Sequence, residues 1–378
     1  MNPTVSQLNA VLDFVKQTFV GKDDIVDLLG ICLVARENAF LLGPPGTAKS
    51  AIVRMLSSCV EGGKNFEYLL TRFTEPSEIF GPFDIRKLKE GDLVTNTEGM
   101  LPEASLVFLD EIFNANSAIL NSLLTALNEK IFRRGKQHLK LPVLTFVGAS
   151  NLLPEEEALE ALLDRFLIRV RCENVAPEEL ERVLAAGWNL EARRATAIKP
   201  TVTPAGIRTL QEEVRNVDLS PVRAEYLNLV HAMRNAGVKV SDRRAVKFQS
   251  LIAASAYLCG REAAVLSDLW VLKHTWDTEE QIDILTGLVS TVIENDTSED
   301  QHPRANARQH PDAEQLLREL DDLAAQWADP GTTAEARNVI KDKLRYVQSG
   351  SKWVRETEHR RLLTEKADAL WQTMLTTT

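Results

Sequence analysis

Residues 43–50 read Gly43-Pro44-Pro45-Gly46-Thr47-Ala48-Lys49-Ser50 and follow an apolar run, Phe40-Leu41-Leu42. Such a loop offers backbone amides to phosphate oxygens. Its lysine can set a positive charge against the β- and γ-phosphates of ATP, and its serine hydroxyl can ligate Mg²⁺. A second apolar run, Leu106-Val107-Phe108-Leu109, ends in Asp110-Glu111. The first carboxylate can hold Mg²⁺ through water, and the second can orient or deprotonate the water that attacks phosphorus. A simple turn before a helix would not require Lys-Ser at its exit, nor a solvated strand end four apolar residues before its carboxylates. The pair of motifs therefore points to ATP hydrolysis, with Ser50 and Asp110 on the metal side. One position departs from the usual loop, where glycine precedes the lysine. Ala48 stands there, and a methyl group fits if the local φ is negative.

Other residues could complete this chemistry. A third apolar run, 143–149, ends in Ser150-Asn151, whose amide could position the same water or touch the γ-phosphate. A turn-forming Asn before Leu152-Leu153-Pro154 suits the residue type equally well. Beside the other two motifs, the site reading is preferred. Arg165 lies in Leu162-Leu163-Asp164-Arg165-Phe166, either as a surface pair of little energetic weight or as an arginine reaching a neighbouring subunit's nucleotide. Arg243-Arg244 occupy the first turn of an expected helix, where the dipole disfavours cations. A γ-phosphate held between that region and the first domain would compensate them.

Elements able to position these residues follow from periodicity. Strands are expected at 39–42, 66–70, 105–109, 143–149 and 167–171, and helices at 6–19, 49–60 and 117–129. Alternation of the two implies a parallel sheet with helices on both faces, with chemistry gathered at the carboxyl ends of the strands. Helix 49–60 begins inside the loop, so its amino end faces the phosphates. Beyond residue 174 the strand signal stops, and 178–290 reads as helices. The clearest is 242–259, with Ser241 as N-cap. Residues 294–312 are polar and turn-rich and read as an exposed linker. Helices at 313–329, 333–348 and 352–375 follow, with Trp327, Trp353 and Trp371 as packing anchors. The expected fold class is α/β, divided as a core over 1–174, a helical domain over 175–293, the linker over 294–312 and a small helical module over 313–378.

Composition narrows the alternatives. The chain has 378 residues, with 44 basic and 54 acidic side chains and a net charge of −10. That balance gives no support to broad nucleic-acid binding. Cys32, Cys59, Cys172 and Cys259 lack metal-ligand spacing and read as buried free thiols, which favours a reducing, cytoplasmic setting. No apolar run approaches the ~20 residues of a membrane span, and the first residues do not resemble a signal peptide.

The ordered set GPPGTAKS, LVFLDE, VGASN, LLDRF and SDRRA resembles the MoxR family of AAA+ ATPases, and within it the RavA group. TRFTEPSEIFGP (71–82), EGMLPEA (98–104) and ILNSLLTALNEKIFRRG (119–135) share that wording, and coverage is strong over about 20–270. The resemblance implies an αβα P-loop core, an all-helical lid and a homo-oligomeric ring, usually a hexamer, with ATP at subunit interfaces. It also implies that Asn151 is sensor 1, Arg165 the arginine finger and Arg244 the sensor-2 arginine, with Arg243 the alternative. Val20 and Gly21 would lie against adenine. Residues 75–82 would fall in the insert of this clade, and 131–141 would form a hairpin directed at the ring's pore. A partner with a von Willebrand factor A domain is implied too. RavA-like proteins carry a β-rich domain inserted in their C-terminal helical region. Here the linker passes directly into helices, so functions of that insert do not carry over.

The expected function is ATP-driven, chaperone-like remodelling or assembly of a protein complex. The alternatives are a motor acting on nucleic acid, kept open by Lys130, Arg133, Arg134, Lys136 and Lys140 of the hairpin, and a slow nucleotide-gated scaffold, which the intact Glu111 disfavours.

Overall fold

Five short apolar runs become the strands of one parallel sheet. The structure is a computed structural model that describes residues 2–90, 92–134, 137–154, 156–175, 177–193, 199–298, 300–305, 313–328 and 357–376, with 337, 340, 341, 344 and 348 between the last two. In chain order the elements run α1 (Pro3–Thr18), α2 (Asp23–Ala35), β1 (Ala39–Leu42), α3 (Lys49–Ser58), β2 (Asn65–Leu69), α4 (Pro76–Phe80), α5 (Ile85–Lys89), β3 (Leu106–Asp110) and α6 (Ser117–Glu129). The hairpin β4 (Ile131–Arg134) and β5 (Gln137–Lys140) precedes β6 (Thr145–Ser150), α7 (Glu157–Leu163) and β7 (Ile168–Arg171). Then come α8 (Leu180–Arg193), α9 (Pro204–Glu213), α10 (Arg223–Asn235), α11 (Asp242–Leu258), α12 (Gln281–Ile293), α13 (Ala313–Ala328) and α14 (Thr357–Thr376).

The strand order is β2-β3-β6-β1-β7, parallel throughout. Every residue of β1 and β6 is buried, as expected for central strands covered on both faces. Register decides where the site forms. Leu42 pairs with Ser150, Gly148 with Leu109, and Leu69 with Asp110. The phosphate loop, Asp110-Glu111 and Asn151 therefore leave three adjacent strands at one edge of the sheet.

Helix boundaries follow local chemistry. Asn116 caps α6 by accepting from Ile119 N at 3.1 Å, and Ser241 caps α11 by accepting from Arg244 N at 3.2 Å. Helix α2 buries ten of its residues, consistent with a helix enclosed on nearly all sides.

The chain divides into two compact units, Met1–His302 and Pro303–Thr378. The first holds the sheet and the helices through α12. The segment from 294 corrects the expectation of exposure, because Asp296 and His302 are both buried. Asp296 accepts from Ser267 N at 2.7 Å, and the His302 ring stacks on Trp270 with centroids 5.0 Å apart. The second unit has its own apolar core, in which Leu316, Leu320 and Trp327 of α13 meet Leu344 and, from α14, Leu363 and Met374. Trp371 packs against that core. Trp353 and most of the helix expected over 333–348 lie outside the described residues.

Candidate active site

The phosphate loop is held from below. Gly43 N donates to Ser150 O at 3.1 Å, and Cys172 N donates to Leu42 O at 2.6 Å. A Cβ at position 43 would stand 2.0 Å from the Cys172 carbonyl oxygen, so only glycine lets β1 turn this close to the end of β7. Thr47 Oγ1 donates to Pro44 O at 2.9 Å and braces the loop, while Pro44, Pro45 and Gly46 are exposed. Helix α3 then starts at Lys49 with no side-chain cap. Amides in its first turn stay available to an anion, the arrangement a phosphate needs.

Ala48 corrects the expected backbone. Its φ is +67° and its ψ 16°, the left-handed conformation, and not the negative φ that would suit a methyl group. The turn into α3 imposes this geometry, at a cost of about 1–2 kcal/mol for a residue with a Cβ. Glu111 is held in the same region at φ +50°, a strained position at the end of β3 of the kind found where a side chain must be aimed.

The side chains of the three strand ends meet. Lys49, almost fully buried, gives its ammonium to Gly43 O, to Pro44 O at 3.0 Å and to Asn151 Oδ1 at 3.2 Å. Asn151 Nδ2 donates to Glu111 Oε1 at 2.5 Å. Ser50 Oγ donates to Asp110 Oδ2 at 3.1 Å. A hydroxyl and a carboxylate thus converge beside the lysine, an all-oxygen pair that fits Mg²⁺, which binds through one or two protein oxygens plus substrate phosphates.

Val20 and Gly21 follow α1. Gly21 has φ +71°, and a Cβ there would lie 2.5 Å from Glu179 Oε2. Next to it, buried Lys22 donates to Glu173 O. Burial pulls the Lys22 ammonium below its usual value despite nearby Cys172 and Glu173. Burial likewise pushes the Cys172 thiol up to about 12, which leaves it protonated and unreactive beside the loop.

Arg165 and Arg244 do not join this constellation. Both line a separate cleft of 890 Å³. Arg165 pairs with Asp164 at 2.8 Å, and its Nε is buried without a partner. Arg244 is buried, with Nη1 2.9 and 3.0 Å from the two carboxylate oxygens of Asp277 and Nη2 donating to Thr275 O at 2.7 Å. The adjacent Arg243 is exposed. Two residues of this cleft escaped the sequence reading. Arg169 is fully buried in β7 and binds Asp277 at 2.7 Å. A charge inside Ile168-Arg169-Val170 was the available signal for Arg169. Nothing local marked Asp277.

A parallel sheet of this order, with a phosphate loop after a central strand and carboxylates after its neighbour but one, defines a nucleotide-binding core of the AAA+ class. Comparisons with known proteins extend this. The model of the MoxR domain of MoxR–vWA–beta-propeller ternary systems matches residues 6–212, and an AAA lid domain model matches 219–289. An uncharacterized protein of Methanocaldococcus jannaschii is 34% identical over 292 residues, covering 76% of this chain and 75% of that one. The chaperone MoxR1 of Mycobacterium tuberculosis is 27% identical over 184 residues, 48% of each chain. The crystal structure of a candidate ATPase from Cytophaga hutchinsonii superposes with a TM-score of 0.60 at 19% identity, over 78% of this chain and 96% of that one. The chain belongs to the MoxR family of AAA+ ATPases. Among the described residues, no helix is long and apolar enough to cross a membrane.

Proposed function

We propose that the chain hydrolyses ATP to ADP and phosphate and couples the cycle to chaperone-like remodelling or assembly of a protein complex. The observation that carries this reading is the junction of Lys49, Asn151 and Glu111 at three adjacent strand ends. In this reading Lys49 exchanges the Gly43 and Pro44 carbonyls for phosphate oxygens. Gly46, Thr47 and Ala48 offer backbone amides to the phosphates, Gly43, Pro44 and Pro45 shape the loop around them, and Val20 and Gly21 lie against adenine. Glu111 takes the proton of the attacking water, and Asn151 fixes the direction of the Glu111 carboxylate. Ser50 and Asp110 would hold Mg²⁺, whose charge stabilises the phosphates when bound.

The working form is a ring of identical subunits, six by the RavA-like resemblance. Arg165 serves a neighbouring nucleotide in this account. Arg244 lines the same cleft as Arg165, which the phosphate loop does not line, and that supports assigning it to the same neighbouring nucleotide. A von Willebrand factor A domain protein is the proposed partner, supported by the matched family description, which names such systems. Four unpaired cysteines support a reducing, cytoplasmic setting.

A nucleic-acid motor finds less support. Lys130 donates to Leu144 O at 2.9 Å, Arg133 pairs with Glu129 at 3.1 Å, and Arg134 lies 4.2 Å over the Phe83 ring. Lys130 and Arg134 are thus engaged within the fold, whereas Arg133 and Lys140 are exposed, and Lys136 lies outside the described residues.

Mixing tests the shared site. Arg165→Ala and Glu111→Gln subunits should each retain only a residual hydrolysis rate as pure rings, and mixed rings should regain activity. Absence of recovery at every ratio, with subunit exchange followed by fluorescence, contradicts a site shared between subunits.

A further inference from the structure

Two guanidinium groups in the cleft depend on one carboxylate. Asp277 Oδ1 accepts from Arg169 Nη1 at 2.7 Å and from Arg244 Nη1 at 2.9 Å. Arg169 comes from β7 of the core, Arg244 from the first turn of α11, and Asp277 from the turn that precedes α12. The other end of Arg169 reaches back into the core. Its Nη2 donates to Leu163 O at 3.2 Å, at the carboxyl end of α7, two residues before Arg165. The same carbonyl accepts from Phe166 N at 3.0 Å, so Arg169 braces the turn that carries Arg165.

An unbroken polar chain therefore runs from Leu163 O through Arg169 to Asp277 and on to Arg244. The lid end is also fixed through backbone. Arg169 Nη1 donates to Trp276 O, Arg244 Nη1 donates to Lys239 O at 2.8 Å, and Asp277 N donates to Gln281 Oε1 at 2.8 Å. Arg169 is 1% exposed and its Nε has no partner. Mere fastening of two domains would not require a buried cation, because apolar side chains of similar volume do this at less cost in desolvation. A planar guanidinium does something they cannot. It holds two acceptors in fixed directions at once.

One carboxylate, Asp277, is shared directly by the two guanidiniums, while Asp164, Glu160, Glu279 and Glu280 also line the cleft. Burial, and then the neighbouring Arg244, pulls the Arg169 guanidinium down to about 10, and Asp277 and Asp164 offset this only in part.

We propose that Arg169 and Asp277 are positioning residues that hold Arg165 and Arg244 as one unit, so that both arginines reach the neighbouring nucleotide together. This rests on the assignment of Arg165 and Arg244 to that nucleotide. A shift of the lid would be transmitted through Asp277 and Arg169 to the turn bearing Arg165.

Steady-state ATPase kinetics on the full chain, with ring assembly followed by sedimentation, test the coupling. Arg169→Met should assemble normally, keep its KM for ATP within threefold and lose at least tenfold in kcat. Measured as the residual single-turnover rate with enzyme in excess, the same substitution should cost less than twofold in the Arg165→Ala/Arg244→Ala background, because the groups it positions are gone. A purely structural defect would cost as much there as in the wild type. If Arg169→Met does not fold, Asp277→Ala decides the matter. It leaves the Arg169 bonds to Leu163 O and Trp276 O and removes the carboxylate that joins Arg169 to Arg244, and its loss should vanish in the Arg244→Ala background. Wild-type kcat in these variants, or an equal loss in the arginine-free backgrounds, overturns the coupling alone. Wild-type turnover by Arg165→Ala and Arg244→Ala overturns the nucleotide assignment and the coupling with it.

Discussion

Asn151 Nδ2 donates to Glu111 Oε1 at 2.5 Å. The bond joins the end of β6 to the end of β3 and pins one carboxylate oxygen of Glu111. The amide oxygen of Asn151 also receives Lys49, so one side chain links the lysine of the loop to the candidate base.

Removal of that link should separate binding from chemistry. Asn151→Ala should keep KM for ATP within about threefold and lose kcat by roughly 10- to 100-fold, because the group acts on the orientation of Glu111 in the transition state. A raised KM with unchanged kcat would assign Asn151 to nucleotide binding instead.

Ala48 offers a test of strain. With φ at +67° it carries a penalty that glycine does not, so Ala48→Gly should stabilise the first unit by about 1 kcal/mol. Part of that gain is offset by the greater freedom of glycine in the unfolded chain. Thermal melting should show a small upward shift, and a downward shift would mean that the methyl group makes a compensating contact.

How far the sequence spoke depends on how local each signal is. The phosphate loop, Asp110-Glu111 and Asn151 declare themselves because their chemistry sits at the ends of apolar runs that become neighbouring strands. The backbone of Ala48 does not. Alanine ordinarily prefers negative φ, and only the turn into α3 forces the other sign. Arg169 and Asp277 meet across the core and lid, a pairing no periodicity reveals. Residues 294–302 read as exposed because they are polar. Yet Asp296 is buried, accepting from Ser267 N and Ser298 Oγ while Gln301 donates to its carbonyl, so the buried polar group has its hydrogen bonds made.

Lys130 should give the stability a particular pH dependence. It is buried at the end of α6, and desolvation, then Arg36, lowers its ammonium to about 7 from an ordinary value of 10.5. The unfolded chain then binds more protons than the folded one between those values, so stability rises with pH across that window. The contribution of Lys130 is full above 10.5 and is lost as pH falls through about 7. Chemical denaturation of wild type and Lys130→Met from pH 7 to 9 checks this. Wild type should gain on the variant as pH rises, and a constant difference would show that Lys130 titrates normally.

The C-terminal unit should fail separately from the site. Leu363 is fully buried among Leu316, Trp327 and Leu344, so Leu363→Ala should cost about 2–5 kcal/mol. Calorimetry should show an early transition for this unit, with ATPase changed less than about tenfold. Loss of nucleotide binding in the variant would tie the unit to the site.

Glu111 bears the central claim, and single-turnover hydrolysis of bound ATP by Glu111→Gln tests it most directly. Glutamine preserves size and the hydrogen bond with Asn151 but cannot take a proton. The account predicts ATP affinity within about threefold of wild type and hydrolysis slowed by at least roughly 100-fold. Hydrolysis at the wild-type rate would contradict it.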